Sequence, residues 1–191
     1  MALWQLVDDL IPYIPDRGQS MFASGGVETV TRGGNSPYAG TSGKLWVSYF
    51  TAIASTTLTR LGMFAGSVAG SGITLARLAL FTVAADDSIT KVAQTDSDNT
   101  VGSSTYTLHE RVLSTVGGFP ASYALVPRTR YALGWLQVAT TPCELFGHYP
   151  IAPGDAPVAC RSIAAQTDIA ASYAVASIPA DAFSIYQRGR P

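Results

Sequence analysis

Apolar segments of strand length alternate with turn-forming residues along most of this chain. From Lys44 onwards, turns such as AADDS and TDSDN and several Gly/Pro loops separate these segments. This spacing is typical of an antiparallel sandwich or barrel and not of alternating β and α units. We predict strands over Lys44–Thr51, Thr57–Ala65, Ile73–Val83, Ile89–Thr95, Ser104–Ser114, Arg130–Ala139 and Cys143–Tyr149.

The stretch TLTRLGMFAGSVAGSGITLARLALFTV, residues 57–83, fits both helical and strand periodicity. Its two apolar runs are short, are bounded by Gly and Ser, and contain Thr and aromatic residues, which favours two strands. GSVAGSG would then be a hairpin connector. In the second strand, alternation places Ile73, Leu75, Arg77, Ala79, Phe81 and Val83 on one face, and Thr74, Ala76, Leu78, Leu80 and Thr82 on the other. The later strand Arg130–Ala139 places Tyr131, Leu133 and Trp135 on one face, and we predict that this face lies in the core.

Residues 1–43 differ from the rest of the chain. LWQLVDDLIPYIP has apolar residues at near-helical spacing, but Pro12 and Pro15 prevent a long helix. Glycine-rich turns then surround a candidate strand, Val27–Thr31. The segment is either a docking arm or the first edge of the sheet, and we predict a docking arm over 1–43 followed by a β-sandwich domain over 44–191. Near the C-terminus, a helix around Ala164–Ala176 is an alternative to a loop and a closing strand.

The chain carries little charge. Asp, Glu, Lys and Arg make up 13% of it, against about 25% in ordinary domains, while 18 Ser and 19 Thr supply neutral polarity. A monomer needs charge to repel its copies, so we expect neutral Ser/Thr/Ala faces to meet between subunits of a homo-oligomer. The net charge of −1 and the dispersed basic residues predict no nucleic-acid partner. No apolar run reaches the roughly 20 residues of a membrane span, so no membrane insertion is expected.

The candidate chemical motifs are all incomplete. GSVAGSG lacks the Lys and the following helix of a phosphate loop. Asp96, Asp98 and Thr100 resemble the start of a calcium loop, but its glycine and its bidentate Glu are missing, which leaves at most weak calcium binding. His109, Cys143, His148 and Cys160 lack the paired spacing of a zinc site.

Catalytic signals are absent as well. The carboxylate pairs Asp8/Asp9 and Asp86/Asp87 are adjacent in sequence, so their side chains diverge in a strand or loop. We predict no catalytic residue, no metal and no cofactor. Whether Cys143 and Cys160 form a disulfide stays open. Aromatic residues could stack on a sugar ring, although most of them lie in predicted strands, where we expect them to be buried in the core. The candidate glycan contacts are Trp46, Tyr123 and Tyr149.

Two arginine-containing strands carry a resemblance to a known family. Arg60-Leu61-Gly62-Met63-Phe64 matches an R-[LI]-G-x-[FY] motif, and Arg77-Leu78-Ala79-Leu80-Phe81 matches R-[LI]-x-[LI]-[FY], with Ala79 where glycine is more usual. An Ala-Gln-Thr strand (93–95) follows, and later a Pro-x-Thr-x-Tyr turn from Pro127 to Tyr131. Over about residues 44–150 the chain resembles minor tail and fibre-like virion proteins of actinobacterial tailed phages.

This resemblance implies a jelly-roll-like β-sandwich on the virion surface, made in the host cytoplasm and assembled as a homo-oligomer, for which a trimer is the expected form. We expect a non-enzymatic minor tail, tail-tip or fibre-like protein with a role in host attachment. Capsid decoration protein and carbohydrate-binding receptor-recognition module are the alternatives, with a cell-wall-degrading enzyme as a third. The N-terminal arm would dock on other virion proteins through Leu3, Trp4, Val7, Leu10, Ile11 and Ile14.

Overall fold

A computed structural model describes residues 27–29, 36–148, 160–181 and 183–191. These residues form short and long β-strands, one 3-10 turn at Val175–Ser177 and no α-helix. The strands are β1 Val27–Glu28, β2 Ser36–Tyr38, β3 Lys44–Thr51, β4 Thr56–Leu58, β5 Arg60–Phe64, β6 Ser71–Val83, β7 Ile89–Gln94, β8 Leu108–Val112, β9 Tyr123–Leu125, β10 Arg130–Thr141, β11 Leu145–His148, β12 Cys160–Ile163, β13 Ser172–Tyr173, β14 Ser184–Ile185 and β15 Gln187–Arg190. No helix in this part of the chain is long and apolar enough to cross a membrane.

The strands form four sheets, and every strand pair is antiparallel. The largest has the order β12-β3-β10-β6-β7-β13, and a four-stranded sheet has the order β1-β15-β5-β8. Two smaller sheets have the orders β14-β11-β2 and β4-β9. The predicted all-β, antiparallel class is confirmed.

The six-stranded sheet buries both of its faces, which explains why the central residues of β6, Leu78 to Phe81, are apolar on both faces. Ala76, Leu78 and Leu80 of β6 belong to a core shared with the three other sheets. That core also holds Tyr131, Leu133 and Trp135 of β10, as the alternation predicted. Ala79 and Phe81 of β6 enter a second core on the opposite face. A strand buried on both faces has no polar side to display, so its sequence alternates between two apolar sets.

The second core is closed by residues 164–180, which we call the covering loop. Ile169, Tyr173 and Ile178 point into the core and are buried. The loop leaves β12, which pairs with β3, and reaches the opposite edge of the sheet, where β13 pairs with β7. The alternative of a helix around 164–176 is therefore wrong, since the only helical turn here is Val175–Ser177.

The strand predictions succeed where one segment stays in one sheet. β3 has the predicted bounds, and β6, β7, β10 and β11 overlap their predicted ranges closely. The segment predicted as one strand from Thr57 to Ala65 instead changes sheets, because β4 pairs with β9 whereas β5 pairs with β15 and β8. β5 and β6 likewise belong to different sheets. The connector Gly66–Gly72 therefore links two sheets, and the prediction of a hairpin is wrong.

Part of the predicted arm belongs to the sheets. β1 pairs with β15, and β2 pairs with β11. Tyr38 packs on the first core, where its ring stacks on Phe183 at 4.4 Å between centroids. These residues thus behave as sheet edges, the alternative named above. The docking residues proposed between Leu3 and Ile14 lie outside the described residues.

Candidate functional site

An open depression of about 530 Å³ lies between the start of β6 and the end of β8. Its floor and walls come from three segments: the first residues of β6, the loop after β7, and the last residues of β8. The lining residues are Ile73, Thr74, Asp96, Ser97, Asp98, Asn99, Arg111 and Val112. Depressions of this size can hold a small ligand or a few side chains of a partner.

Backbone hydrogen bonds fix the loop after β7 against β6. The Asp98 amide donates to the Ala76 carbonyl at 3.0 Å, and the Ala76 amide donates to Ser97 Oγ at 3.4 Å. Asp98 Oδ1 accepts from the amide and the hydroxyl of Thr100, at 2.8 and 2.7 Å. Aspartate favours turns for this reason, because its carboxylate can bond backbone amides two residues on. The TDSDN sequence thus builds a rigid rim.

One ion pair crosses the depression from this rim to β8. Arg111 Nε donates to Asp98 Oδ2 at 2.5 Å, and Arg111 Nη2 donates to Thr100 Oγ1 at 2.6 Å. The hydrogen bonds from Thr100, followed by those from Arg111, lower the pKa of Asp98 to about 2. Asp98 is therefore a carboxylate at neutral pH, and both of its oxygens have donors from the protein itself.

Asp96 is the carboxylate of the depression that can still receive a ligand. Its Oδ1 accepts a hydrogen bond from the Ser114 hydroxyl, and its other oxygen has no partner among the described residues. Asp96 and the neighbouring Asn99 are exposed. The apolar side chains of Ile73 and Val112 lie beside them. This arrangement suits a cation or a polyol with an apolar side, since exposed oxygens can accept its hydrogen bonds.

The geometry around Asp98 gives little support to the predicted weak calcium site. Calcium needs six to eight oxygen ligands, whereas Thr100 and Arg111 already donate to Asp98. No group of three or more His, Cys, Asp or Glu residues that could hold a metal occurs in the described ranges.

Three of the other candidate ligands are buried, and none of these three lines the depression. His109 is 6% exposed, and burial lowers its pKa. Cys143 and Cys160 are free thiols, so they do not form a disulfide. Burial raises the pKa of each to about 12. The two thiols are therefore poor nucleophiles at neutral pH.

The predicted glycan contacts are not brought together. Trp46 is 2% exposed in the first core, where its ring lies 3.7 Å from Lys44 Nζ. Its faces are therefore closed to a sugar. Tyr123 is half-buried with its ring edge against Tyr131, and Tyr149 lies outside the described residues. Among the aromatic residues that the structure describes, the exposed one is instead Tyr106, 63% exposed with a φ of 49°.

Sequence reasoning noticed Asp96 and Asp98 but not the depression around them. Ile73, Arg111 and Val112 lie in strands, where their sequence indicated only a sheet. No spacing rule joins Arg111 to Asp98, because the pairing depends on how β8 passes the loop after β7.

No protein-family model matches this chain, and no curated protein matches it. The functional conclusion below therefore rests on the chain's own residues, together with the resemblance drawn from the arginine-containing motifs.

Proposed function

We propose that this chain is a non-enzymatic structural protein of a tailed-phage virion, assembled as a homo-oligomer on the particle surface. Its sheets would form a sandwich of jelly-roll type. The observation that carries the proposal is the distribution of charge. The few ionised groups of the described residues largely pair with each other, and most of the exposed residues are uncharged.

The ion pairs join elements of the fold and leave little charge for the exterior. Arg77 pairs with Asp168, Lys44 with Asp181, Arg111 with Asp98, Arg130 and Arg161 with Asp87, and Arg188 and Arg190 with Glu110. Asp168 is the charged residue of the covering loop. Its neighbours on the outer side are exposed Ala, Ser, Thr and Pro.

Exposed apolar side chains add to this neutral surface. Ile53, Val68, Tyr106, Val112, Val116 and Val126 are between 47% and 63% exposed. Isolated exposed apolar residues are common on monomers. Their combination with so little free charge is better suited to subunits that cover one another, because charge is what keeps separate copies apart.

The mass of the purified chain in solution tests the assembly. Sedimentation equilibrium should give about three times the 20.0 kDa of one chain, since the resemblance implies a trimer. A monomer at micromolar concentration would contradict the proposal. Far-UV circular dichroism of the same sample should show strand without helix, so a misfolded sample is recognised.

The position on the particle separates two structural roles. We place the chain in the tail, as a minor tail, tail-tip or fibre-like protein, and capsid decoration is the alternative. Antibody labelling of intact particles should mark the tail. Deletion of residues 1–16 should leave a folded chain that no longer enters particles, because that segment holds the proposed docking residues. Incorporation of the deletion variant at the normal level would count against the arm.

A second candidate is a carbohydrate-binding module for host recognition. The depression favours it, because Asp96, Asn99 and Arg111 could bond sugar hydroxyls while Val112 contacts an apolar ring face. Host cell-wall fragments should then bind the isolated protein and fail to bind Asn99→Ala, and Thr57→Ala, an exposed change in β4, should bind normally. Absence of binding by the unsubstituted chain removes this candidate.

A further inference from the structure

We infer that copies of this chain bind head to tail: a loop tip formed by Ile53, Val126 and Arg128 enters the Asp96–Arg111 depression of the next copy. This rests on the homo-oligomer proposed above and specifies its contact. The two surfaces are complementary in charge and in apolar character.

The loop tip carries one cation and two exposed apolar side chains. Ile53 is 62% exposed and Val126 is 57% exposed. Arg128 is exposed and forms no ion pair with the described residues. Its φ of 62° lies in the left-handed region, which is uncommon for residues other than glycine. Such conformations persist where surrounding contacts hold them.

Backbone hydrogen bonds hold the two loops of the tip together. The Arg128 amide donates to the Ala52 carbonyl at 2.6 Å, and the Ala52 amide donates to the Thr129 carbonyl at 3.0 Å. These bonds place Arg128 next to the end of β3. The tip is thus a preorganised surface, so little conformational freedom is lost when it binds.

The depression has hydrogen-bond acceptors and apolar walls that complement the tip. Asp98 is already engaged by Arg111 and Thr100. The second oxygen of Asp96 and the amide oxygen of Asn99 accept no hydrogen bond from the described residues, so they can serve a partner. A guanidinium donates in a planar fork and suits such a pair of acceptors. Ile73 and Val112 supply the apolar walls that Ile53 and Val126 can contact.

The two surfaces lie at opposite ends of the long strands. Arg130, next to the tip, is the first residue of β10 and pairs with Thr51. Ile73, in the depression, pairs with Ala139 near the other end of β10. Along an extended strand this separation is about 30 Å. One copy therefore cannot fill its own depression with its tip.

A contact between two different patches has a defined consequence for symmetry. Such heterologous contacts form a ring when the rotation between copies closes, and a filament when it does not. A closed ring of three copies agrees with the trimer of the proposed function.

A charge-exchange experiment on the full chain tests the contact. Arg128→Glu and Asp96→Arg should each raise the dissociation constant of the oligomer about 30-fold or more, since each leaves like charges facing each other. The double variant Arg128→Glu/Asp96→Arg should restore association to near its original strength. Both residues are exposed, so circular dichroism of the monomers should be unchanged. Sedimentation velocity over a concentration series measures all three.

The variant Ala176→Glu distinguishes this contact from an interface formed by the covering loop. It puts a carboxylate on the covering loop, outside both surfaces, and should leave the dissociation constant within about twofold. Suppose that Ala176→Glu dissociates the oligomer while the Arg128 and Asp96 variants do not. Copies would then meet through the covering loop, and the inference would be wrong although the homo-oligomer stands. A double variant that stays dissociated also overturns the inference. If the unsubstituted chain is a monomer, both proposals fail.

Discussion

An ion pair between Asp87 and Arg161 joins the turn after β6 to β12, the strand that precedes the covering loop. Asp87 Oδ2 lies 3.1 Å from Arg161 Nη2, and the other oxygen of Asp87 pairs with Arg130. Arg161 also donates from Nη1 to the Ile178 carbonyl at 2.9 Å. A single guanidinium therefore ties both the start and the end of the covering loop to the body of the protein.

Replacement of Arg161 by Met should loosen the covering loop. The variant leaves the buried Ile178 carbonyl and one oxygen of the partly exposed Asp87 without their donor, which costs roughly 1–3 kcal/mol of unfolding free energy. Urea denaturation measures that loss, and hydrogen exchange should show faster exchange of amides in residues 164–180. Arg60→Met, at an exposed arginine without an ion pair in the described residues, should change the free energy by no more than about 0.5 kcal/mol. Unchanged exchange in Arg161→Met would show that the apolar anchors alone hold the loop.

Gln187 should contribute to stability through its side-chain amide. This residue of β15 is fully buried, and its amide can donate to the Leu133 carbonyl at 2.8 Å and accept from the Trp135 amide at 3.0 Å. It thereby links the four-stranded sheet to β10. Gln187→Met keeps the volume and removes both hydrogen bonds, so the unfolding free energy should fall by roughly 1–3 kcal/mol. A stability equal to that of the unsubstituted protein would exclude a contribution from this link.

The strand positions could be predicted from sequence because each depends on local pattern and turn residues. β3 illustrates this: a largely apolar stretch, Leu45 to Phe50, follows the turn at Gly43, and the predicted bounds are correct. Strand partners could not be predicted in the same way. β5 and β6 are neighbours in sequence with a glycine-rich connector, yet β5 pairs with β8 and β15. Pairing is decided by burial of whole faces, which local periodicity does not encode.

The candidate site was predictable only in part for the same reason. The TDSDN segment was recognised as a turn, and Asp98 does form a side-chain turn with Thr100. Arg111 was read simply as a strand residue. Its role at the rim follows from the neighbouring positions of β8 and the loop after β7, which are linked by the bridge between Thr95 and Leu113. Trp46 shows the opposite error: the sequence suggests a sugar contact, whereas the side chain is buried in the first core.

The two cysteines should be unreactive while the protein is folded. Their pKa values of about 12 result chiefly from burial, and the thiolate is the form that reacts. At pH 8 a thiol reagent such as dithionitrobenzoate should therefore modify neither cysteine in the native protein and both in 8 M urea. Because protonation is favoured in the fold, these groups stabilise it fully below about pH 9, and this contribution is lost as the pH rises towards 12. Rapid modification of one native cysteine would contradict the burial of that thiol.

Asp98 should make the stability depend on acid. Its pKa is lowered to about 2, first by the hydrogen bonds from Thr100 and then by Arg111. A carboxyl with a lowered pKa contributes stability above its ordinary value near 4, and loses that contribution as the pH falls to about 2. Asp98→Asn cannot ionise, so the difference in unfolding free energy between it and the unsubstituted protein should shrink between pH 4 and pH 2. Urea denaturation at half-unit steps of pH measures this difference. Asp86→Asn is the comparison, because Asp86 also accepts hydrogen bonds from a turn serine, Ser88, but has no arginine partner among the described residues. If the difference for Asp98→Asn stays constant over this range, the pairing with Thr100 and Arg111 does not stabilise the ionised form, and the rigid rim of the depression loses its electrostatic basis.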